Sequence, residues 1–450
     1  MKKDLFKLMF GTKNPAKLIF NVYLLLIFFG SIVLWLPISS ESGQFTNFID
    51  AFFTTTSSLC VTGLSTVTTA QHWNLFGKIF ILILIQLGGL GVMTAAAAVG
   101  LILNKKITVT QRMNLAEEKN TLTISGIIRL LKYIFVATFL IEMVGAIFLS
   151  FTFIPEFGFI KGIWYSLFHS ISAFCNAGFD IIGDSSLAPY SGNFGLLFPI
   201  MLLIIGGGLG FGVFRDIIGK KFKFSQFALH SKIVVVGTLI LVFIPAIIIL
   251  VLEWNNPQTI GNFSVGKKLL TALFESVTPR TAGFASLDQH SFKATSTMIV
   301  ILLMFIGGAP AGTAGGFKIT TMATIFLIAK ANIKNEKDMT IFRRRLPEET
   351  ARKAVTIFLI SWIWIVVTIF VLTMTEGGKS LTDITYEVVS AYGTVGLTRG
   401  LTAELSIIGK ILISATMVFG KIGPLAMVVA FTNKKAPLAY REAEESIIVG

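Results

Sequence analysis

Four times along its length the chain repeats one pattern: a long apolar run, a short run rich in Ser and Thr, and a second long apolar run. The long runs begin near Leu18, Ile79, Tyr133, Leu196, Ile233, Met298, Ala354 and Ile411. Each is long enough to cross a hydrocarbon layer, which needs roughly 20 helical residues. The short runs, Asp50–Cys60, Trp164–Cys175, Leu269–Pro279 and Asp383–Tyr392, cannot span. They fit helices that enter the membrane and turn back, because polar backbone at that depth must line water or be buried in protein.

Composition points the same way. With 54% hydrophobic residues, 14% charged residues and a mean hydropathy of +0.78, the 450 residues carry too little charge to cover a soluble surface. Lys2, Lys3, Lys7, Lys13 and Lys17 precede an apolar run too long for a signal-peptide core and without a small-residue cleavage site. Cys60 and Cys175, with four scattered histidines, make no metal-ligand cluster, so no transition-metal site is expected. There is no Walker A sequence and no G-x-G-x-x-G opening a βαβ unit. A membrane-embedded hydrolase needs a nucleophile–base pair or a metal cluster, and this inventory offers neither. The chain is expected to be no enzyme and to bind no cofactor of its own.

Charge gives the orientation. If each unit is helix, re-entrant segment, helix, both chain ends and the three loops between units share one side. That side carries 27 of the 38 basic residues, in Lys2–Lys17, Lys105–Lys132, Arg215–Lys232, Lys330–Lys353 and Lys434–Arg441. An excess of Lys and Arg marks the cytoplasmic side, so both termini are predicted there. The outer side sets nine basic residues against twelve acidic ones, among them Asp50, Asp180, Asp184, Glu253, Asp288 and Glu404. Its net −3 raises the local concentration of cations at an entrance. The overall +14 is a topology signal and not a mark of nucleic-acid binding.

After each short run comes a glycine in a similar setting: Cys60-Val-Thr-Gly63-Leu, Cys175-Asn-Ala-Gly178-Phe, Arg280-Thr-Ala-Gly283-Phe and Gly393-Thr-Val-Gly396-Leu. Successive glycines are 115, 105 and 113 residues apart. A second mark, Gly88-Gly89, Gly206-Gly207-Gly208, Gly307-Gly308 and Gly420, begins 25, 28, 24 and 24 residues after the first. Two marks in register four times predict a single membrane domain over residues 1–450. Its units lie at about 18–103, 127–219, 231–330 and 352–432, followed by a cytoplasmic tail at 433–450.

A short helix whose C-terminal end points to the membrane centre directs a partial negative charge there, favourable for a cation. The residues that follow are Val61-Thr62-Gly63, Asn176-Ala177-Gly178, Thr281-Ala282-Gly283 and Thr394-Val395-Gly396. They are predicted to turn backbone carbonyls towards a shared axis, with glycine tolerating the unusual dihedrals. The expected fold is an all-α polytopic membrane protein of four tandem helix–pore helix–helix units, in pseudo-fourfold arrangement around a central ion pore. Rings of neutral carbonyls suit an easily dehydrated monovalent ion better than Mg²⁺ or Ca²⁺, which recruit carboxylates. One such glycine alone also reads as a helix-packing position. The alternative function is a secondary symporter for a small organic solute, with paired repeats and half-helix N-termini facing an anionic substrate.

The four units, the single glycine in each filter-like stretch and the interrupted run Gly307–Gly316 resemble the Trk/Ktr/HKT superfamily of potassium transporters. The resemblance is strongest to the membrane subunit of the bacterial Ktr potassium uptake system, and it covers about Leu18 to Phe431. It implies that Gly63, Gly178, Gly283 and Gly396 carry potassium selectivity. A serine at the first position is associated with sodium-preferring plant members. It further implies potassium as the transported ion, with sodium a stimulating ion rather than the main cargo. A homodimer is implied, resting on a cytoplasmic ring of nucleotide-binding regulatory subunits, in a bacterial plasma membrane. The basic loops Arg215–Lys232 and Lys330–Lys353 and the tail are the expected docking surfaces.

Gly307, Gly308, Pro310, Gly312, Gly315 and Gly316 put six helix breakers in ten residues of an apolar run. Unpaired backbone there is costly against lipid but tolerable along an aqueous cavity, so a non-helical loop beneath the filter is expected. A plain kink at Pro310 is the simpler reading, but the other three units have no equal run. The resemblance makes this loop a gate. Lys421, within Phe-Gly-Lys-Ile-Gly-Pro, is an ionisable group in a membrane helix and is expected to face a cavity or a partner. The family typically has arginine there, projecting into the pore; lysine keeps the charge but loses the planar fork.

Other residues read more plainly. Cys60 and Cys175 are expected to be small packing residues, and His169 and Glu275 to hold the filter through hydrogen bonds. Glu142 should pair with a neighbouring polar group, Asp50 and Asp383 should cap short helices, and Arg343-Arg344-Arg345 should be a solvated cytoplasmic cluster or meet anionic lipid heads. Exchanging Gly63 for serine is expected to lower the preference for K⁺ over Na⁺ in an uptake assay, and an unchanged preference would count against the carbonyl filter.

Overall fold

The computed structural model describes residues 15–95, 97, 109–118, 126–431 and 445. Lys2, Lys3, Lys7, Lys13, Lys105, Lys106, Lys119 and almost all of the expected tail lie outside the described residues. Within them the chain forms sixteen helices of eight residues or more, and its strands are two residues long. The first unit consists of α1 (Pro15–Trp35), α2 (Phe48–Leu59) and α3 (Leu75–Leu90), and α4 (Val109–Glu118) follows it. The second has α5 (Ile127–Phe157), α6 (Phe159–Phe174), α7 (Phe194–Leu209) and α8 (Phe211–Gly219). The third has α9 (Leu229–Glu253), α10 (Val265–Val277), α11 (Ala294–Phe305) and α12 (Ile319–Ile333). The fourth has α13 (Glu348–Thr375), α14 (Leu381–Gly393), α15 (Ile407–Ile422) and α16 (Pro424–Phe431).

The first helices α1, α5, α9 and α13 are long and apolar enough to cross a bilayer. They turn large apolar side chains outward: Phe139, Leu140 and Phe151 on α5, Phe243 and Ile247 on α9, Trp362 and Phe370 on α13. In water such surface would drive aggregation; against hydrocarbon it is the solvated face. The short helices are the inverse. α2 is buried from Phe53 through Leu59 and α14 from Tyr386 through Gly393, hydroxyls and carboxyl included. Short helices therefore occupy the centre, and long ones shield them from lipid.

The short helices begin on side-chain caps that differ from those expected. Asn47 caps α2 by accepting from the Ile49 N–H at 2.9 Å, and Ser380 caps α14 by accepting from the Asp383 N–H at 3.1 Å. Asp50 and Asp383 sit one turn in, where the helix dipole still favours a carboxylate. There they pair with Lys410 at 2.8 Å and Arg399 at 2.7 Å. The Arg343–Arg345 cluster lies in a short hairpin, Thr340–Ile341 pairing antiparallel with Arg344–Arg345, and Arg344 and Arg345 are exposed.

The second helices depart most from expectation. All four are broken, not only the third. α7 and α8 meet at 97° across Gly210, and α15 and α16 at 100° across Gly423. α3 ends at Gly91, after which the chain re-enters helix at Val92. Gly91, Gly210 and Gly423 have φ of +88°, +83° and +93°, a region in which a side chain is strained. Each lies three residues after a glycine of the second repeated mark. Those marks are points of contact: a methyl group on Gly88, Gly207 or Gly420 would lie 2.0, 1.9 or 1.9 Å from the carbonyl oxygen of Leu59, Phe174 or Tyr392. In the first, second and fourth units the second helix thus presses on the C-terminal turn of its own short helix and breaks just beyond; in the third, Gly307 and Gly308 instead meet Gly315 of the loop and Gly208 of α7.

This predicts opposite behaviour from adjacent glycines. Gly207→Ala is expected to cost about 1–3 kcal/mol through overpacking, measured as thermal stability of the solubilised protein. Gly206→Ala, whose methyl meets nothing nearer than 3.8 Å, should be neutral or slightly stabilising.

Candidate ion pathway

Beyond each short helix the chain changes handedness twice. Val61, Asn176, Thr281 and Thr394 have φ of +50°, +58°, +70° and +50°. Two residues later Gly63, Gly178, Gly283 and Gly396 have φ of +91°, +68°, +77° and +99°. The intervening Thr62, Ala177, Ala282 and Val395 keep negative φ. Positive φ is uncommon for residues with side chains, and four instances at one repeat position mark a conformation that the surroundings enforce. Alternation of this kind turns successive carbonyls to one side of the chain.

The four stretches close on one another. A methyl group on Gly63 would lie 2.5 Å from the Ala177 carbonyl oxygen, and one on Gly178 would lie 2.5 Å from that of Ala282. On Gly283 it would lie 2.2 Å from the Val395 oxygen, and on Gly396 2.1 Å from that of Thr62. The contact runs 63 to 178 to 283 to 396 and back to 63. The four glycines share one centre, and each has its neighbour's carbonyl where a side chain would begin.

Hydroxyls hold the stretches from behind. Ser57 accepts from the Gly63 N–H and Ser390 from the Gly396 N–H, both at 3.1 Å. Ser172 donates to the Phe179 carbonyl at 2.7 Å and Thr278 to that of Phe284 at 2.6 Å. Sequence reading missed this set, although a serine lies six residues before the glycine in three units. In the third unit the hydroxyl comes five residues before, because that turn is one residue shorter.

On one side of the ring a cavity of about 480 Å³ opens, lined by all four glycines and by Asp180, Asp184 and Asp288. Its described lining includes no Lys, Arg or His. Burial pushes the Asp180 carboxyl up to about 6, against hydrogen bonds from the Ile182 and Gly183 N–H groups and Ser186. The mouth is therefore negative.

On the other side lies the loop between α11 and α12. Gly315 and Gly316 press on the fourth stretch: methyl groups there would lie 2.1 Å from Thr394 Oγ1 and 2.9 Å from Gly393 Cα. The loop closes on itself through Gly307 N–H to Phe317 O at 2.7 Å. Several of its other backbone groups pair with the broken helices. Ala309 N–H donates to Gly208 O at 2.8 Å, Thr313 N–H to Gly207 O at 3.1 Å and Gly316 N–H to Gly420 O at 3.2 Å. The loop accepts from the Phe211 N–H through Ala311 O at 3.3 Å, and Pro310 and Gly312 lie against Gly210. Lys421 Nζ donates to Thr313 O at 2.8 Å, and Lys318 Nζ to Ala314 O at 2.7 Å. Beneath the loop is an inner cavity of about 170 Å³, lined by Gly312, Gly316, Lys318, Lys421 and Glu118 among others.

The other expected residues divide. Glu275 ties its short helix to the chain beyond the ring, accepting from Ser286 at 2.7 Å and Gln289 at 3.1 Å. Glu387, which the sequence reading passed over, does the same with Thr398 at 2.7 Å. His169 does not: its Nδ1 faces the Tyr165 carbonyl of its own helix at 2.7 Å and its ring packs against Phe153 and Phe284. Glu142 finds Gln86, whose Nε2 donates at 3.1 Å. Cys60 and Cys175 are buried free thiols, and Cys175 Sγ fills the space opposite Gly89. Arg280, also passed over, is buried at the start of the third stretch and donates to Thr238 at 3.3 Å.

These features accord with known proteins. A family model described as TrkH, cation transport protein, matches residues 10–437. The potassium/sodium uptake protein NtpJ of Enterococcus hirae is 41% identical over 443 residues, 97% of each chain. The Ktr system potassium uptake protein B of Bacillus subtilis is 40% identical over 432 residues, 96% of each chain. The crystal structure of the potassium transporter TrkH from Vibrio parahaemolyticus superposes with a TM-score of 0.75 at 16% identity, covering 94% of this chain and 85% of that one, which shows a shared fold. The chain belongs to the TrkH family of cation transport proteins.

Proposed function

We propose that this multi-pass membrane protein takes up potassium through the ring of Gly63, Gly178, Gly283 and Gly396. The closed contact between the four stretches carries the reading. It gathers neutral carbonyl oxygens, with no carboxylate at the ring itself, after the C-terminal ends of four helices. Such a site replaces the water of a monovalent ion and has little to offer a divalent one. The names of the two sequence relatives support potassium, and that of NtpJ supports a part for sodium, here read as a stimulating ion. Uptake is passive or weakly coupled, driven by the electrical and chemical gradients. An organic-solute symporter would direct helix N-termini at its substrate; here four C-termini meet at the ring.

The loop at Gly307–Gly316 and Lys421 form the gate in this reading. Lys421 holds the loop by the Thr313 carbonyl and sets a positive charge below the ring. The units at 18–103, 127–219, 231–330 and 352–432 act as quasi-equivalent quarters of one domain. We further propose a homodimer controlled by a cytoplasmic ring of nucleotide-binding subunits that docks on Arg215–Lys232, Lys330–Lys353 and the tail. The membrane is read as a bacterial plasma membrane with both termini cytoplasmic.

Expression in a cell deficient in potassium import tests the reading. K⁺ and Rb⁺ uptake should be restored and Na⁺ should be a poor substrate; Na⁺ uptake equal to K⁺ would overturn it. In the same assay Lys421→Ala should raise K⁺ flux several-fold. Unchanged or lower flux in a folded variant would remove Lys421 from the gate.

A further inference from the structure

The breaks in the second helices are held in different ways. At Gly210 the first N–H of the restarting helix, that of Phe211, donates to the loop carbonyl of Ala311 at 3.3 Å. At Gly91 the acceptor is a side chain. Glu118, the last residue of α4, reaches in: one carboxylate oxygen accepts from the Met93 N–H at 2.7 Å, the other from the Thr94 N–H at 2.9 Å and the Thr94 hydroxyl at 2.7 Å. A helix that restarts after a break leaves its first N–H groups without internal acceptors, and a carboxylate there meets both the donors and the local dipole. Gly91 makes room for it. A methyl group at Gly91 would lie 2.8 Å from Glu118 Cδ.

The helix that delivers this carboxylate is anchored. Leu115 and Ala116 of α4 pack with Leu131 of α5, against Met93 and Ala97 of the restarted segment. Glu118 also lines the inner cavity, where it is the one carboxylate among the described lining residues, with Lys318 and Lys421 in the same wall. A neutral cap would serve a purely structural break; a carboxylate in this wall also offsets ammonium charge on the route out.

We propose that Glu118 is a positioning residue for cation exit. It holds the first unit's pore-side helix in its broken form at Gly91 and so keeps the inner cavity narrow, and displacement of α4 releases that hold. The inference rests on the ion-pathway reading above. The test is rubidium influx into vesicles reconstituted with the full-length protein, comparing wild type with Glu118→Gln, Glu118→Ala and Glu118→Asp. The Gln and Ala variants should raise the maximal rate by roughly fivefold, the scale of one lost cap. The KM for Rb⁺ and the preference over Na⁺, both set at the ring, should keep their wild-type values, and Asp should restore the wild-type rate in part.

A maximal rate unchanged or lowered in a variant as thermally stable as wild type overturns the proposal. So does an effect confined to KM, which would move Glu118's action to the ring. Should the Gln and Ala variants fail to fold, Thr94→Val, which removes one of the three bonds and keeps the carboxylate, should give a smaller increase in the same direction; no increase overturns the proposal. Wild-type vesicles that take up no Rb⁺ would overturn the pathway reading itself. Active wild type with an indifferent Glu118→Gln would overturn this inference alone.

Discussion

A peptide group inside a bilayer has no water to turn to, and each one left unpaired against hydrocarbon costs several kcal/mol. A protein that passes an ion must nevertheless open its backbone at membrane depth. Here the openings at the ring and in α7 and α15 stand against other openings, and the one at Gly91 is met by the Glu118 carboxylate. The four filter stretches leave helix together and stand against one another as a ring, with their N–H groups turned back to Ser57 and Ser390 or to short-helix carbonyls. The broken ends of α7 and α15 offer carbonyls at Gly207, Gly208 and Gly420, and the loop between α11 and α12 takes them. Irregular backbone is thus concentrated along one axis and paired there, leaving the long helices to face lipid intact.

Close approach is the second half of the same constraint. The second helices press on the short helices at Gly88, Gly207 and Gly420, and the ring glycines press on each other's carbonyls. A single methyl at these points would force backbone apart, and the rigid interior around them has little room to give. The repeat therefore keeps its spacing within its own four copies: two glycine marks about 24 to 28 residues apart, one for the ring and one that in three of the copies makes the contact against the ring's helix.

Much of this was legible before any coordinates. The ring and the loop announce themselves because glycine recurs in register and because six breakers fall within ten apolar residues. The single-residue breaks were hidden. Gly91, Gly210 and Gly423 look in sequence like the packing glycines three residues earlier, and only their φ tells them apart. Asp50 and Asp383 were mistaken for caps because an acid in the first turn and a cap residue one turn earlier give the same local signal. The true caps, Asn47 and Ser380, are a short polar residue three positions upstream. What sequence cannot supply is the distant partner. Gln86 for Glu142 is 56 residues away, Thr313 for Lys421 is 108, and Lys410 for Asp50 is 360.

If the loop is the gate proposed above, the arrangement also says what its movement must involve. The loop is bound on one side to α7 and α8 and on the other to α15, and its donors at Ala309, Thr313 and Gly316 cannot leave those acceptors for hydrocarbon. They can leave only for water or for other protein groups. The inner cavity under the loop, lined by Gly312, Gly316 and the two lysines, is polar space beside it. Displacement of the loop is therefore an exchange of protein hydrogen bonds for hydrated ones, small in net free energy because both states are satisfied. In that proposed gate, a lysine bonded to the Thr313 carbonyl would bias the exchange without having to block the route by bulk. The glycines matter a second time here, since a loop with five glycines and mostly small side chains has few atoms to obstruct a shift between the two sets of partners.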